Sequence, residues 1–115
     1  MTRVLVTDDH PVVRAGLRML LEASGIDVVA EAASGAEAIA LARDLRPDLV
    51  LLDIWMPDVD GITLLKEWGS TSQLTMPVIM MSGHGTIDTA VEATKYGAIA
   101  FLEKPITLQK LLRAV

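Results

Sequence analysis

Cysteine is absent from the 115 residues. That excludes disulfide scaffolds, thiolate metal sites and cysteine nucleophiles. Aromatic residues are scarce at 3%, so the core must be aliphatic. Positive charge is in deficit: 10 Lys+Arg against 15 Asp+Glu give a net charge of −5 and a pI of about 4.8. A domain that grips nucleic acid through its phosphates needs the opposite balance, so direct nucleic-acid binding is not expected. No run approaches the ~18 apolar residues of a membrane span. No signal peptide opens the chain, because only Val4-Leu5-Val6-Thr7 separates Thr2-Arg3 from two aspartates. A cytoplasmic protein without a membrane partner is the expectation.

What is present is apolar and regular. Hydrophobic residues make up 51% of the chain without counting glycine. That is above the share of an average soluble domain and rules out disorder as the main content. The length fits one domain, residues 1–115, able to bury about two-thirds of its unfolded surface. Short aliphatic runs alternate with amphipathic ones, and no repeat or low-complexity tract interrupts them.

Val4 to Thr7 predicts a buried strand. Pro11 suits the first position of a helix. Val13, Leu17, Leu20 and Leu21 form one face of that helix, which Gly25 stops. Ile26 to Ala32 predicts a second strand. Ser34 can cap a second helix with Ala38, Ile39, Ala42 and Leu45 inside, ended by Pro47. Leu49 to Leu52 predicts a central strand closing on Asp53. A turn over Pro57–Gly61, a short helix over Ile62–Trp68 and a polar loop over Gly69–Thr75 follow. Pro77 to Met81 predicts a fourth strand closing on Ser82. Thr86 to Tyr96 predicts a helix stopped by Gly97, and Ala98 to Leu102 a fifth strand. Leu108, Leu111, Leu112 and Val115 mark a last helix. Strands apolar throughout must be covered on both faces. Crossovers of this length make them parallel. The fold class is therefore α/β, a (βα)5 three-layer sandwich around a parallel sheet.

In such sheets ligands bind beyond the carboxyl ends of the strands. Here the first strand ends at Asp8-Asp9, the third at Asp53 and the fourth at Ser82. The fifth is followed by Glu103-Lys104-Pro105. Carboxylates, a hydroxyl and an ammonium thus share one rim. Clustered carboxylates call for a cation, and oxygen ligands alone point to Mg²⁺. A metal beside a lysine and a hydroxyl suits a phosphoryl group, with Asp53 as nucleophile. Plainer readings stand beside these. Asp8 or Asp9 can cap the first helix, Asp53 can simply end a strand, and Ser82-Gly83 can be turn material. Lys104 and Glu103 can be solvated, His10 and His84 surface residues without a ligand role, and the six methionines core filler.

Taken in order, Asp8-Asp9, Leu52-Asp53-Ile54-Trp55-Met56-Pro57 through Asp60-Gly61, Met81-Ser82-Gly83 and Phe101-Leu102-Glu103-Lys104-Pro105 resemble the receiver domain of response regulators in two-component signalling. The resemblance covers essentially the whole chain. It implies a flavodoxin-like sheet of order 2-1-3-4-5. Asp53 would accept a phosphoryl group from a histidine kinase or a small phosphodonor. Asp8, Asp9, Asp53 and the backbone carbonyl of Trp55 would hold Mg²⁺, Asp8 through a bound water. Lys104 would contact the phosphoryl group, and the Lys104–Pro105 peptide would be cis. Ser82 and Phe101 would be the switch residues, rearranging a face of the fourth helix, fifth strand and fifth helix where homodimers or partners form. Trp55 and His84 would tune the lifetime of the phosphorylated state.

The stretch Asp9-His10-Pro11-Val12-Val13-Arg14-Ala15-Gly16-Leu17 is similar to regulators with a helix-turn-helix output. Ser82-Gly83-His84-Gly85-Thr86-Ile87 is similar to nitrogen-regulator relatives. Either likeness implies transcription regulation through an output domain on a longer parent chain, with a stand-alone receiver as the alternative. Since family receivers usually run somewhat further, the last helix is expected to be cut short at Val115. Three other classes compete. An aspartate-nucleophile phosphatase typically needs a second aspartate two positions on, where Trp55 stands. A degenerate receiver, binding partners without phosphorylation, would not need all five of Asp8, Asp9, Asp53, Ser82 and Lys104. A flavin-binding relative would need a serine/threonine-rich phosphate loop where Asp8-Asp9 stand.

Overall fold

In a computed structural model the chain is described over residues 2–53, 61–70, 76–82, 91–92, 94–95, 98–103, 106 and 108–114. Strands β1 (Arg3–Thr7), β2 (Asp27–Ala32), β3 (Leu49–Asp53), β4 (Val78–Ser82) and β5 (Ala100–Glu103) form one sheet of order β2-β1-β3-β4-β5. Every described pairing is parallel. The helices are α1 (Pro11–Ala23), α2 (Gly35–Leu45), α3 (Gly61–Ser70) and a C-terminal helix (Leu108–Ala114). Residues 91–92 and 94–95 are helical and fall inside the predicted fourth helix, the rest of which lies outside the described residues.

Two apolar clusters show why the sheet is covered on both sides. Val4, Val6, Leu49, Leu51, Ile79, Met81 and Leu102 pack with Leu17 and Leu21 of α1 and Leu111 of the C-terminal helix. Leu5, Val50, Leu52, Val78 and Met80 pack with Ala38 and Ala42 of α2 and Leu64, Leu65 and Trp68 of α3. The strands therefore alternate between two buried faces.

The element boundaries follow from the backbone. α1 ends because Gly25 adopts φ +80, a conformation that suits glycine. The Ile26 N–H then returns to the Leu21 carbonyl at 3.0 Å, so it closes the helix and β2 begins one residue later than expected. Ser34 caps α2 as predicted, its hydroxyl accepting the Glu37 N–H at 3.2 Å. α2 stops at Leu45, with Arg46 left-handed (φ 49) just before Pro47. Gly69 and Ser70, expected in a loop, are the last residues of α3, and Gly61, expected in the turn, is its first. The pairing of β1 with β2 slips between Val4 and Leu5, whose partners are Val28 and Ala30. This bulge leaves Val29 as the extra residue.

Candidate functional site

The chain leaves β1 for β2 on one side, while β3 lies on the other. The sheet order therefore reverses between β1 and β3, and a crevice opens beyond their carboxyl ends. Thr7 pairs with Leu52, Asp53 with Met81, and Ser82 with Glu103. The register thus sets Asp8 and Ser82 on the two strands that flank Asp53.

Burial marks the same place. Among the described residues the buried polar or charged side chains are Thr7, Asp8, Asp53 and Ser82, all at the carboxyl ends of β1, β3 and β4. Burying charge without compensation is costly, so such a cluster is not core filling. Asp8 is fully buried and Asp53 is 2% exposed. Asp9 is partly open. One ligand atom from each of Asp8, Asp9, His10 and Asp53 lies within 4.8 Å of the others.

The backbone around Asp8 is held from three sides. Its N–H donates to the Ala32 carbonyl of β2 at 3.0 Å. Its carbonyl accepts from Arg14 Nη1 of α1 at 2.6 Å. Its carboxylate accepts the His10 N–H at 2.9 Å. Arg14 is fixed in turn by Glu31 Oε1 at 3.2 Å, and Arg18 Nη1 reaches Glu31 Oε2 at 2.5 Å. Neither aspartate caps α1: the N-cap is His10, without a side-chain cap bond.

The expected site residues divide accordingly. Asp8, Asp9 and Asp53 come together. Ser82 ends β4 and is fully buried. Phe101, on β5, is half-buried against the cluster of the α2–α3 side. Trp55, His84, Lys104 and the Lys104–Pro105 peptide lie outside the described residues. His10 was expected on the surface without a ligand role. It is exposed (65%), yet its Nδ1 lies 3.2 Å from Asp8 Oδ1 and 2.9 Å from Asp9 Oδ1. Its adjacency to Asp8-Asp9 was the available signal, but only the turn geometry brings the ring back onto both carboxylates. Arg14 and Glu31 were also missed, since a pair 17 positions apart has no local signature.

Residues 4–115 match the response regulator receiver domain, and the chain belongs to that family. Among curated relatives it is 37% identical to the chemotaxis protein CheY of Bacillus subtilis, covering 98% of this chain and 93% of CheY. It is 34% identical to the transcriptional regulatory protein PdtaR of Mycobacterium tuberculosis, covering 98% of this chain but 54% of PdtaR. The chain thus spans about half the length of several curated relatives, which are multidomain regulators. Among solved structures, the signal receiver domain of the response regulator NarL from Mycobacterium tuberculosis superposes with a TM-score of 0.90 at 37% identity, covering 98% and 91% of the two chains. The beryllofluoride-activated NtrC4 receiver domain, solved as a dimer, gives 0.88 at 38%, covering 98% and 92%. CheY of Borrelia burgdorferi, solved with CheX, BeF3 and Mg, gives 0.92 at 30%, covering 98% and 85%. Both the NarL-like and the NtrC-like likenesses read from the sequence are therefore real. Receivers are signalling domains rather than enzymes with a separate turnover substrate. No helix among the described residues is long and apolar enough to cross a membrane.

Proposed function

We propose that this receiver accepts one phosphoryl group on Asp53 from a sensor histidine kinase or a small phosphodonor, with Mg²⁺ in the acidic pocket. The observation that carries the reading is buried, convergent charge: Asp8 and Asp53 are inaccessible, yet their oxygens meet those of Asp9 within 4.8 Å. Carboxylate oxygens at this spacing suit a hard cation that keeps some of its waters. Asp8, Asp9 and Asp53 would hold it with the backbone carbonyl of Trp55. Bound there, the ion supplies positive charge that offsets the carboxylates and the phosphoryl oxygens.

The remaining work falls to the chain. Asp53 provides the nucleophilic oxygen: its bond to phosphorus forms as the bond to the donor's nitrogen or acyl oxygen breaks. The Ser82 hydroxyl donates to a phosphoryl oxygen, and Lys104, next after β5, adds positive charge. Ser82 moving toward the phosphoryl group and Phe101 turning inward shift the population between two packings of one fold. Trp55 and His84 govern access of water to the acyl phosphate, and so its lifetime.

The face that responds comprises the predicted fourth helix, β5 and the C-terminal helix. Val91 in the predicted fourth helix and Leu112 in the C-terminal helix are exposed aliphatic residues, which supports a homodimer or partner contact. An output domain on a longer chain, acting in transcription in the cytoplasm, is the destination of the signal. The test is intact mass after incubation with acetyl phosphate and Mg²⁺. A single phosphoryl adduct that needs Mg²⁺ and is missing from Asp53→Asn supports the reading. A wild-type protein that binds no Mg²⁺ and gains no mass refutes it.

A further inference from the structure

His10 brings the only nitrogen donor to the pocket, among the described residues, and the chain holds it there. The His10 N–H is fixed on Asp8 Oδ1 at 2.9 Å, and the His10 carbonyl accepts the Arg14 N–H at 3.1 Å. Pro11 follows at once, fixing the backbone beyond it. The ring therefore lies over Asp8 and Asp9, with Nδ1 at 3.2 and 2.9 Å from their oxygens. A ring nitrogen of His10 and one oxygen each from Asp8, Asp9 and Asp53 lie within 4.8 Å of one another, and Nδ1 is the nitrogen that faces Asp8 and Asp9. With its proton on Nδ1, the ring donates to Asp8 Oδ1 and places positive charge beside Asp9 Oδ1 when doubly protonated. With the proton on Nε2, the Nδ1 lone pair faces the space where the oxygens converge.

We infer that His10 Nδ1 becomes a ligand when an imidazole-accepting cation such as Zn²⁺ occupies this pocket in place of Mg²⁺, so that the site holds such a cation more strongly than its carboxylates alone would. The inference rests on the pocket being a cation site, as proposed above. Mg²⁺ takes oxygen and gains little from an imidazole, whereas Zn²⁺ accepts both donor types. Any such site already prefers Zn²⁺ to Mg²⁺. The signature of His10 is therefore not that preference but its reduction when the ring is removed. Binding replaces the Nδ1 hydrogen bond to Asp8 by one bond to the metal, and the ring proton resides on Nε2.

The experiment titrates wild type and His10→Ala with Zn²⁺ and with Mg²⁺ by calorimetry in one non-coordinating buffer. The side chain is 65% exposed and makes no cap bond to α1, so its removal leaves the fold intact. Mg²⁺ binding by the variant verifies this. The Zn²⁺ affinity is expected to fall at least about tenfold, the loss typical even of a residue that merely supports a ligand. The Mg²⁺ affinity is expected to stay within about twofold, since Mg²⁺ draws on the oxygens. In ¹⁵N spectra the His10 Nδ1 resonance should move with Zn²⁺ and not with Mg²⁺. Affinities that change equally for both metals, or not at all, with an unmoved ring nitrogen, overturn the inference and leave the proposed function standing. A wild-type protein that binds no Mg²⁺ overturns both.

Discussion

Arg14 Nη1 donates to the backbone carbonyl of Asp8 at 2.6 Å, so the first turn of α1 clamps the main chain of the acidic pair. Glu31 on β2 holds the same guanidinium at 3.2 Å, and the next residue, Ala32, takes the Asp8 N–H. Strand β2 and helix α1 together thus place a carboxylate that neither of them carries.

Arg14→Ala should therefore loosen the pocket without removing a ligand. Mg²⁺ affinity is expected to fall about tenfold, as for other residues that orient ligands. Stability should fall by about 2 kcal/mol, because charged hydrogen bonds are lost and Glu31 keeps only part of its partners. Calorimetric Mg²⁺ titration beside urea unfolding separates the two effects. Arg14→Lys, which cannot fork, should recover the stability only in part.

Clustered carboxylates repel one another, and a bound cation offsets that repulsion. In the metal-free protein, Asp53→Asn removes one of three like charges and is expected to stabilise the fold by about 1–3 kcal/mol. Wild type should gain about 2.7 kcal/mol at a Mg²⁺ concentration a hundred times its Kd. Chelator and Mg²⁺ arms of one urea series test both; a variant less stable than wild type in chelator would contradict the repulsion argument.

Arg3 closes the far end of α2. Its Nη1 and Nη2 donate to the carbonyls of Arg46 at 3.0 Å and Leu45 at 2.8 Å, where the helix runs out of partners. Arg3→Ala should cost about 1–2 kcal/mol in chemical denaturation, from those bonds. Because Arg3 begins β1, at the end of the strand away from Asp8, Mg²⁺ affinity should not change.

Leu51 is fully buried in the central strand, in the cluster that faces α1. Leu51→Ala is expected to destabilise by about 2–5 kcal/mol through the cavity it leaves. A midpoint shift in urea at unchanged slope would show this as a packing loss rather than a different unfolded state.

The strands were legible because runs such as Val4-Leu5-Val6 and Leu49-Val50-Leu51-Leu52 are apolar on both faces. That same uniformity hides strand order, since no polar face marks an edge; the order came from the family likeness. Boundaries moved where a backbone group had another use. Ile26 left β2 because its N–H closes α1. The bulge at Val29 lies inside a run with no glycine to mark it. The acids Asp8, Asp9 and Asp53 were legible as strand-end residues, which parallel topology gathers on one rim. The positions of His10, Arg14 and Glu31 depend on how a turn and a helix dock, which no local pattern encodes.

The central claim is that Asp53, rather than its acidic neighbours, carries the phosphoryl group. Protein treated with acetyl phosphate and Mg²⁺ should be reduced with borohydride, which turns an acyl phosphate into an alcohol, and then mapped by peptide mass spectrometry. The account predicts conversion of the aspartate at position 53 to homoserine, only when Mg²⁺ is present. Conversion at Asp8 or Asp9 instead, or a modification indifferent to Mg²⁺, would contradict it.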